Sequence, residues 1–388
     1  MHRFDVAVVG SGPAGGACAL RLARANFSVA LIDCSAFPRS KICGEYLNHG
    51  TIRELRSLGV GDDMEAMAAA IGGMRLSAHD ETAAFAFSTP AWSLSRSTMD
   101  AHIRSCAIQA GAVAITGRLN KIRASDDGVL LTIASGDEVS ELYARYVVGA
   151  DGMRSTVGRL MGMTRPAASS KFAIGGHYAG VKLDGWIEMF ASKNGYLALN
   201  PQDESSANAM FVLDTERLND SRGHLSDELS RFSTHITGGR HNVDDANLAG
   251  KRRSIGPLAH KTGAFTSPRV LLVGDAVKFV NPFTGQGMYI ALAGARLAAQ
   301  AIAQALGGNA DRIASWRGYA RELGALILDR ERAAGLVGHI LENTFASRRA
   351  ARALKKRPED FRPIVDAVSG KSPLGIGALS FHLAKALR

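Results

Sequence analysis

The chain has 388 residues, 46% of them hydrophobic and 21% charged, with a formal net charge of +10 and four cysteines. That length exceeds one ordinary core and predicts more than one domain, while the composition excludes a disordered, collagen-like or disulfide-scaffold chain. Much of the positive excess sits in one late run, Arg348, Arg349, Arg352, Lys355, Lys356 and Arg357. It reads as a solvated helix face, and nucleic acid is not an expected partner because no recognition motif accompanies it.

Cys18, Cys34, Cys43 and Cys106 form no C-x-x-C pair and stand at no zinc spacing with a histidine. No metal site is expected, and the pattern suits a reducing cytoplasm. The N-terminal MHRFDVAVVGSG runs straight into a strand and lacks the features of a signal peptide. No apolar run reads as long enough to span a bilayer, so any membrane contact would be peripheral.

In chain order, residues 4–9 predict a buried strand, 10–16 a glycine-rich turn, 17–25 a helix and 28–32 a second buried strand. This unit begins a parallel sheet. Residues 70–90 alternate in the manner of antiparallel strands, 97–110 read as helix, and 111–149 as short strands ending in YVVGADG. Between 165 and 267, strand-like stretches (FAIGGHYAGV, YLALN, AMFVL) precede and surround one helix near 225–237. RVLLV at 269–273 is again a buried strand, a long helix follows Gly285, and the rest to Arg388 is mostly helical. The expected class is α/β. A Rossmann-type nucleotide-binding domain (1–70, 91–164 and 268–305) interweaves with an α+β substrate domain (71–90 and 165–267), and a helical C-terminal region (306–388) follows.

Three motifs carry chemistry. In Gly10-x-Gly12-x-x-Gly15, the first glycine permits a tight turn, the second lets backbone approach a pyrophosphate, and the third lets helix and strand pack closely. Pro13 and Ala14 open the helix, whose N-terminus offers N–H groups to phosphate. Asp33, ending the second strand before Cys34, is placed to bind the hydroxyls of an unphosphorylated ribose. The second motif, Gly149-Ala150-Asp151-Gly152-x-x-Ser155, is alone no more than a strand-end turn. In the third, Gly274-Asp275 ends a strand, and Pro282-x-x-Gly285-x-Gly287-Met288 leads into a helix whose positive end would face a flat ring.

In this order the three motifs resemble the flavoprotein hydroxylase superfamily, related to para-hydroxybenzoate hydroxylase and to geranylgeranyl reductases, over residues 1 to about 305. The resemblance implies FAD. Its pyrophosphate would lie on the first motif with support from Asp151, and its ribityl chain on Asp275. Residues 38–45, PRSKICGE, look like the P-R-x-K-x-C-G stretch of the reductase-like branch, and Ser95-Arg96-Ser97-Thr98-Met99-Asp100 looks like the superfamily's S-R-x-x-L-D. By resemblance Arg39, Lys41 and Arg96 contact FAD, and Cys43 to Glu45 lie at the flavin edge.

The chain also departs from these patterns. Gly285-Gln286-Gly287-Met288 is nearer the reductases' G-E-G-I than the hydroxylases' G-x-G-x-N. Gly195-Tyr196-Leu197-Ala198-Leu199-Asn200-Pro201 resembles the reductases' G-Y-x-W-x-F-P without its Trp, and the halogenases' W-x-W-x-I-P is absent. No catalytic residue is assigned; the candidates are Cys43, Glu45 and Tyr196. His49 and His177 would act as acid–base groups only if they reached the flavin, and Tyr46, Trp186 and Tyr196 suit a pocket wall or plain core equally. The leading expectation is an NAD(P)H-dependent FAD monooxygenase of an aromatic or hydrophobic small molecule. NAD(P)H would bind transiently, since no second nucleotide fingerprint appears. The alternatives are reduction of an isoprenoid-like double bond, and modification of a side chain in a partner protein docked on the basic C-terminal helices.

Overall fold

The computed structural model describes residues 2–78, 81–169, 171–192, 195–216, 224–308, 311–371 and 376–386. The parts of the expected ranges 71–90, 165–267 and 306–388 that fall on other residues lie outside the described residues.

Two sheets organise the chain. The first runs Val113–Thr116, Val29–Asp33, His2–Val9, Glu138–Gly149, Val129–Ser135 and Arg118–Ala124, with Val270–Leu272 also pairing to Glu138–Gly149. His2–Val9 is parallel to both of its neighbours, with Val6 opposite Val29 on one side and Tyr146 on the other. Val6, Ala7, Val8, Ala30, Leu31 and Ile32 are fully buried. These continuous apolar runs need cover on both faces, as parallel strands do. Part of that cover comes from the helix Pro13–Arg24, which packs on Arg96–Gln109 and on Gly287–Leu306. Against expectation, Gly287–Leu306 is long and apolar enough to cross a bilayer; most of it is buried in this core.

The second sheet has eight strands, in the order Leu248–Ile255, Lys171–Ala179, Ser206–Asp214, Gly195–Pro201, Trp186–Ser192, Ala69–Ala78, Glu81–Ser93 and Tyr46–Leu47. Tyr46–Leu47 and residues 91–93, assigned by sequence to the first unit, hydrogen-bond here. Side chains alternate along each strand. Ile174, Tyr178, Phe190 and Phe211 pack on one face with Leu229 and Phe232 of the helix Leu225–Thr237. Ala173, Met189, Ala198 and Met210 line a cavity on the other.

The C-terminal helices close this cavity. Arg312–Glu342 packs along Gly287–Leu306, and its Trp316 indole donates to the Ser267 carbonyl at 2.9 Å. Thr344–Lys356 and Pro358–Val368 bring Leu354, Phe361 and Ile364 into one cluster with Ala83 of the strand Glu81–Ser93.

Candidate functional site

Both sheets and the C-terminal helices enclose one cavity of about 660 Å³. Its polar end starts where the first strand stops. Gly10 has φ +101°, and a Cβ there would lie 2.4 Å from the Ala150 carbonyl oxygen. At Gly15 a Cβ would lie 1.7 Å from the Gly10 carbonyl oxygen, so strand and helix approach as only glycine permits. Pro13–Arg24 begins at Gly12 with no side-chain cap, which leaves its first N–H groups free for an anion.

Cations gather over that turn. The position of a Cβ on Gly12 lies 3.7 Å from Arg39 Nη2 and 3.8 Å from Arg96 Nη2. Both guanidiniums are held by Asp100, the fully buried carboxylate that closes the segment resembling S-R-x-x-L-D and that has no role assigned by sequence. Arg96 is bidentate to it at 2.9 and 2.7 Å, and Arg39 Nη1 lies 3.0 Å away. Burial opposes the Arg96 charge, but Asp100 outweighs it and raises the guanidinium pKa further. Lys41 shifts downward through burial and the neighbouring Arg39 charge. Asp33 accepts the Ser11 N–H at 2.7 Å and the Ser35 N–H at 2.9 Å.

Asp151 accepts the Ser155 hydroxyl at 2.5 Å and the N–H groups of Thr156 and Val157 at 2.6 and 3.1 Å. Burial nonetheless pushes its pKa up. Asp275 is pushed up to about 6 by burial, with Arg96 offsetting part of the rise. Gly285 (φ +63°) presses on Tyr46, and a Cβ there would sit 2.6 Å from the ring.

The segment from Ile42 to Glu45 also lines the cavity. Asn208 Nδ2 donates to the Cys43 carbonyl at 2.7 Å, and Asn200 Nδ2 donates to the Gly44 carbonyl at 3.0 Å. Burial raises the Cys43 thiol pKa, and Arg96 works against the rise. Glu45 has φ +58°, unusual for a side-chain-bearing residue. Its Oε1 accepts the Arg96 N–H at 2.8 Å, and its Oε2 lies 2.7 Å from His177 Nε2. Asn200 and Asn208 were not foreseen. The signal for them is polar residues at cavity-facing positions of otherwise apolar strands.

Of the residues singled out by sequence, Gly10, Gly12, Pro13, Ala14, Asp33, Cys34, Arg39, Lys41, Cys43, Glu45, Arg96, Asp151, Asp275, Pro282, Gly285, Gly287 and Met288 all line the cavity. Gly15 and Gly274 instead serve close packing, the latter with a Cβ position 3.0 Å from Ala14 Cβ. Tyr196 lies outside the lining and packs edge-on to Phe283 with ring centroids 4.9 Å apart, because its strand position falls beyond Ala198 and Asn200. His49 also lies outside, within 2.8 Å of the Thr89 carbonyl. Trp186 packs under Arg75, whose guanidinium carbon is 5.2 Å from a ring centroid. Among the described residues, no His/Cys/Asp/Glu cluster could hold a metal.

The far end of the cavity is apolar. Met74, Leu76, Phe85 and Phe87 face Val337, Ile340, Leu354, Phe361 and Ile364, and Ser369 is the one polar residue among the C-terminal lining. Sequence motifs end before these helices, so nothing in their pattern marked them as a site wall.

Compared with known proteins, residues 3–317 match a family described as FAD binding domain. The chain is 28% identical over 335 residues to a menaquinone reductase of Mycolicibacterium smegmatis, covering 81% of this chain and 79% of that one. It is 28% identical over 322 residues to digeranylgeranylglycerophospholipid reductase 1 of Methanothermobacter thermautotrophicus, covering 78% and 77%. Its fold superposes on the myxobacterial chondrochloren halogenase CndH with a TM-score of 0.80 at 20% identity, covering 100% of this chain and 96% of that one.

Proposed function

The chain belongs to the FAD binding domain family of flavoprotein oxidoreductases, and from that premise we propose that it reduces a carbon–carbon double bond in an isoprenoid-like substrate. The observation that carries this reading is the apolar far chamber, walled by Met74, Leu76, Phe85, Leu354 and Phe361. A hydrocarbon chain gains roughly 0.8 kcal/mol for each methylene buried there. The reductase relatives support the choice over oxygen transfer, which the motifs alone put first.

The residues fit FAD. Arg39 and Arg96 would hold its pyrophosphate over the uncapped helix, and Asp33 its ribose. Asp275 would bind the ribityl chain, and the Gly285–Met288 backbone would lie beside the ring. Buried polar atoms without partners, Arg39 Nε and Thr284 Oγ1, belong to residues that line the same cavity, as expected where a polar ligand completes the wall. Once reduced and bound, FAD would supply a hydride, which carries both electrons of the reduction. The protein's part is to orient the double bond from the apolar chamber, exclude water with the C-terminal helices, and hold a proton beside the Cys43–Glu45 segment. NAD(P)H is proposed as the transient reductant and the cytoplasm as the compartment.

The test uses FAD-loaded protein, photoreduced under argon and mixed with a geranylgeranyl lipid that carries no quinone group. The expected result is flavin reoxidation without oxygen and a product that has gained two hydrogens. Reoxidation only with oxygen, with one oxygen atom added to the acceptor, would replace this reading by the monooxygenase one.

Leu354→Trp should fill the apolar chamber and lower kcat/KM for the prenyl acceptor at least tenfold, while FAD affinity stays within about twofold. Steady-state kinetics and flavin fluorescence titration check the split. Equal losses in both would place the substrate elsewhere.

A further inference from the structure

We propose that Glu45 and His177 form a proton relay from solvent into the cavity; this rests on the reductive reading above. Glu45 lines the cavity, yet its side chain is only 4% exposed, whereas His177 is 36% exposed and lies outside the lining. The 2.7 Å contact between them is therefore a bridge through the cavity wall. Glu45 reaches it from a left-handed backbone conformation, which costs about 1–2 kcal/mol for an L-residue. Three interactions hold it there. The Arg96 N–H reaches Oε1 at 2.8 Å, the Leu94 N–H reaches the Glu45 carbonyl at 3.2 Å, and Asn200 clamps the preceding Gly44 carbonyl at 3.0 Å. A buried carboxyl in a strained backbone, tied on one side to a half-buried imidazole, is more than packing requires.

The chemistry needs such a group. Saturating a double bond breaks the π bond and forms two C–H bonds. One hydrogen arrives as hydride from the reduced cofactor, and the other must arrive as a proton. His177, protonated at Nε2, would hand that proton to Glu45 across the 2.7 Å contact, Glu45 would pass it to the second carbon, and His177 would recover a proton from water. Glu45 acts at the cavity, and His177 acts through Glu45.

The charged and titratable groups around the pair are Cys43 in the same segment and Arg96 from the helix below; the edge strand sets the uncharged Ala249 opposite His177. The hydrogen bond to Glu45 holds the His177 pKa above its ordinary value despite burial. Protonated His177 is thus retained to higher pH, and relay activity should fall as pH rises through that raised value.

His177→Gln keeps an N–H donor for Glu45 but cannot carry a proton. In FAD-loaded protein it should bind flavin normally, lower prenyl-acceptor turnover by roughly 10²-fold, and abolish the alkaline fall of the pH–rate profile. NMR titration of the His177 ring without cofactor supplies a reading independent of activity. A raised pKa should return toward the ordinary histidine value in Glu45→Gln. Wild-type turnover with an unchanged His177→Gln rate and profile would overturn the relay alone, as would a His177 titration indifferent to Glu45→Gln. A wild-type protein idle on every prenyl acceptor would overturn the functional reading, and the reaction step with it.

Discussion

Arg96→Met should lower the stability of the cofactor-free protein by roughly 3 kcal/mol and weaken FAD binding by about 100-fold. The cause lies under the side chain. Asp100 is fully buried and ionically paired to Arg96 at 2.7 Å and Arg39 at 3.0 Å. Methionine keeps much of the volume but leaves Asp100 with one cation in place of two. Removing one partner of a buried pair typically costs about 3–5 kcal/mol, and the remaining Arg39 contact places this site at the lower end. The flavin loss has a separate origin, because Arg96 is one of two guanidiniums poised over Gly12. Pairing the change with Asp100→Asn separates the two effects. The double variant should recover part of the stability in urea denaturation, since Asp100 no longer carries a buried charge and Arg39 keeps Asp33 at 3.6 Å, yet bind flavin no better in fluorescence titration. Recovery of both together would mean that Arg96 only positions Asp100 and does not touch the cofactor.

Asp275→Asn should act in opposite directions on stability and on binding. Burial lifts the Asp275 pKa from an ordinary 3.8 to about 6. Between those values the folded chain binds more protons than the unfolded one, so stability falls as pH rises through the window. Above it the whole penalty is present, roughly 3 kcal/mol for a rise of this size. Asparagine carries no charge to bury. Cofactor-free Asp275→Asn should therefore be more stable than wild type at pH 7, by up to roughly 3 kcal/mol, and close to it at pH 4. The same change replaces an ionised acceptor for a sugar hydroxyl and should weaken FAD about tenfold. Chemical denaturation at the two pH values, with a flavin titration at pH 7, decides the matter. An equal stability change at both pH values would remove the electrostatic explanation. The two sites are also linked, because Arg96 offsets part of the Asp275 rise. In the Arg96→Met background, the stabilisation by Asp275→Asn should grow.

The sequence by itself determined the nucleotide-binding half. A strand, a glycine turn and a helix are local structures. The steric demand at Gly10, the uncapped helix start at Gly12 and the acidic end of the second strand at Asp33 are written in consecutive residues. Arg39, Arg96 and Asp275 lie in short segments recognisable for the same reason. Tertiary structure alone decided the rest. Asp100 closes a recognisable segment, but its role appears only where the helix Arg96–Gln109 buries it under two arginines. His177 lies in a strand legible from the sequence, but only sheet register brings it to Glu45, 132 positions away. Tyr196 suits a pocket wall or plain core equally by sequence, and its place along the strand turns it to Phe283. The C-terminal helices carry no motif because an apolar wall requires only hydrophobic side chains, which many sequences supply. Their role emerges where Leu354 and Phe361 meet the strand Glu81–Ser93 and close the chamber. Chemistry that depends on backbone geometry leaves a local signature, while chemistry that depends on which distant side chains meet is settled by the packing of the whole chain.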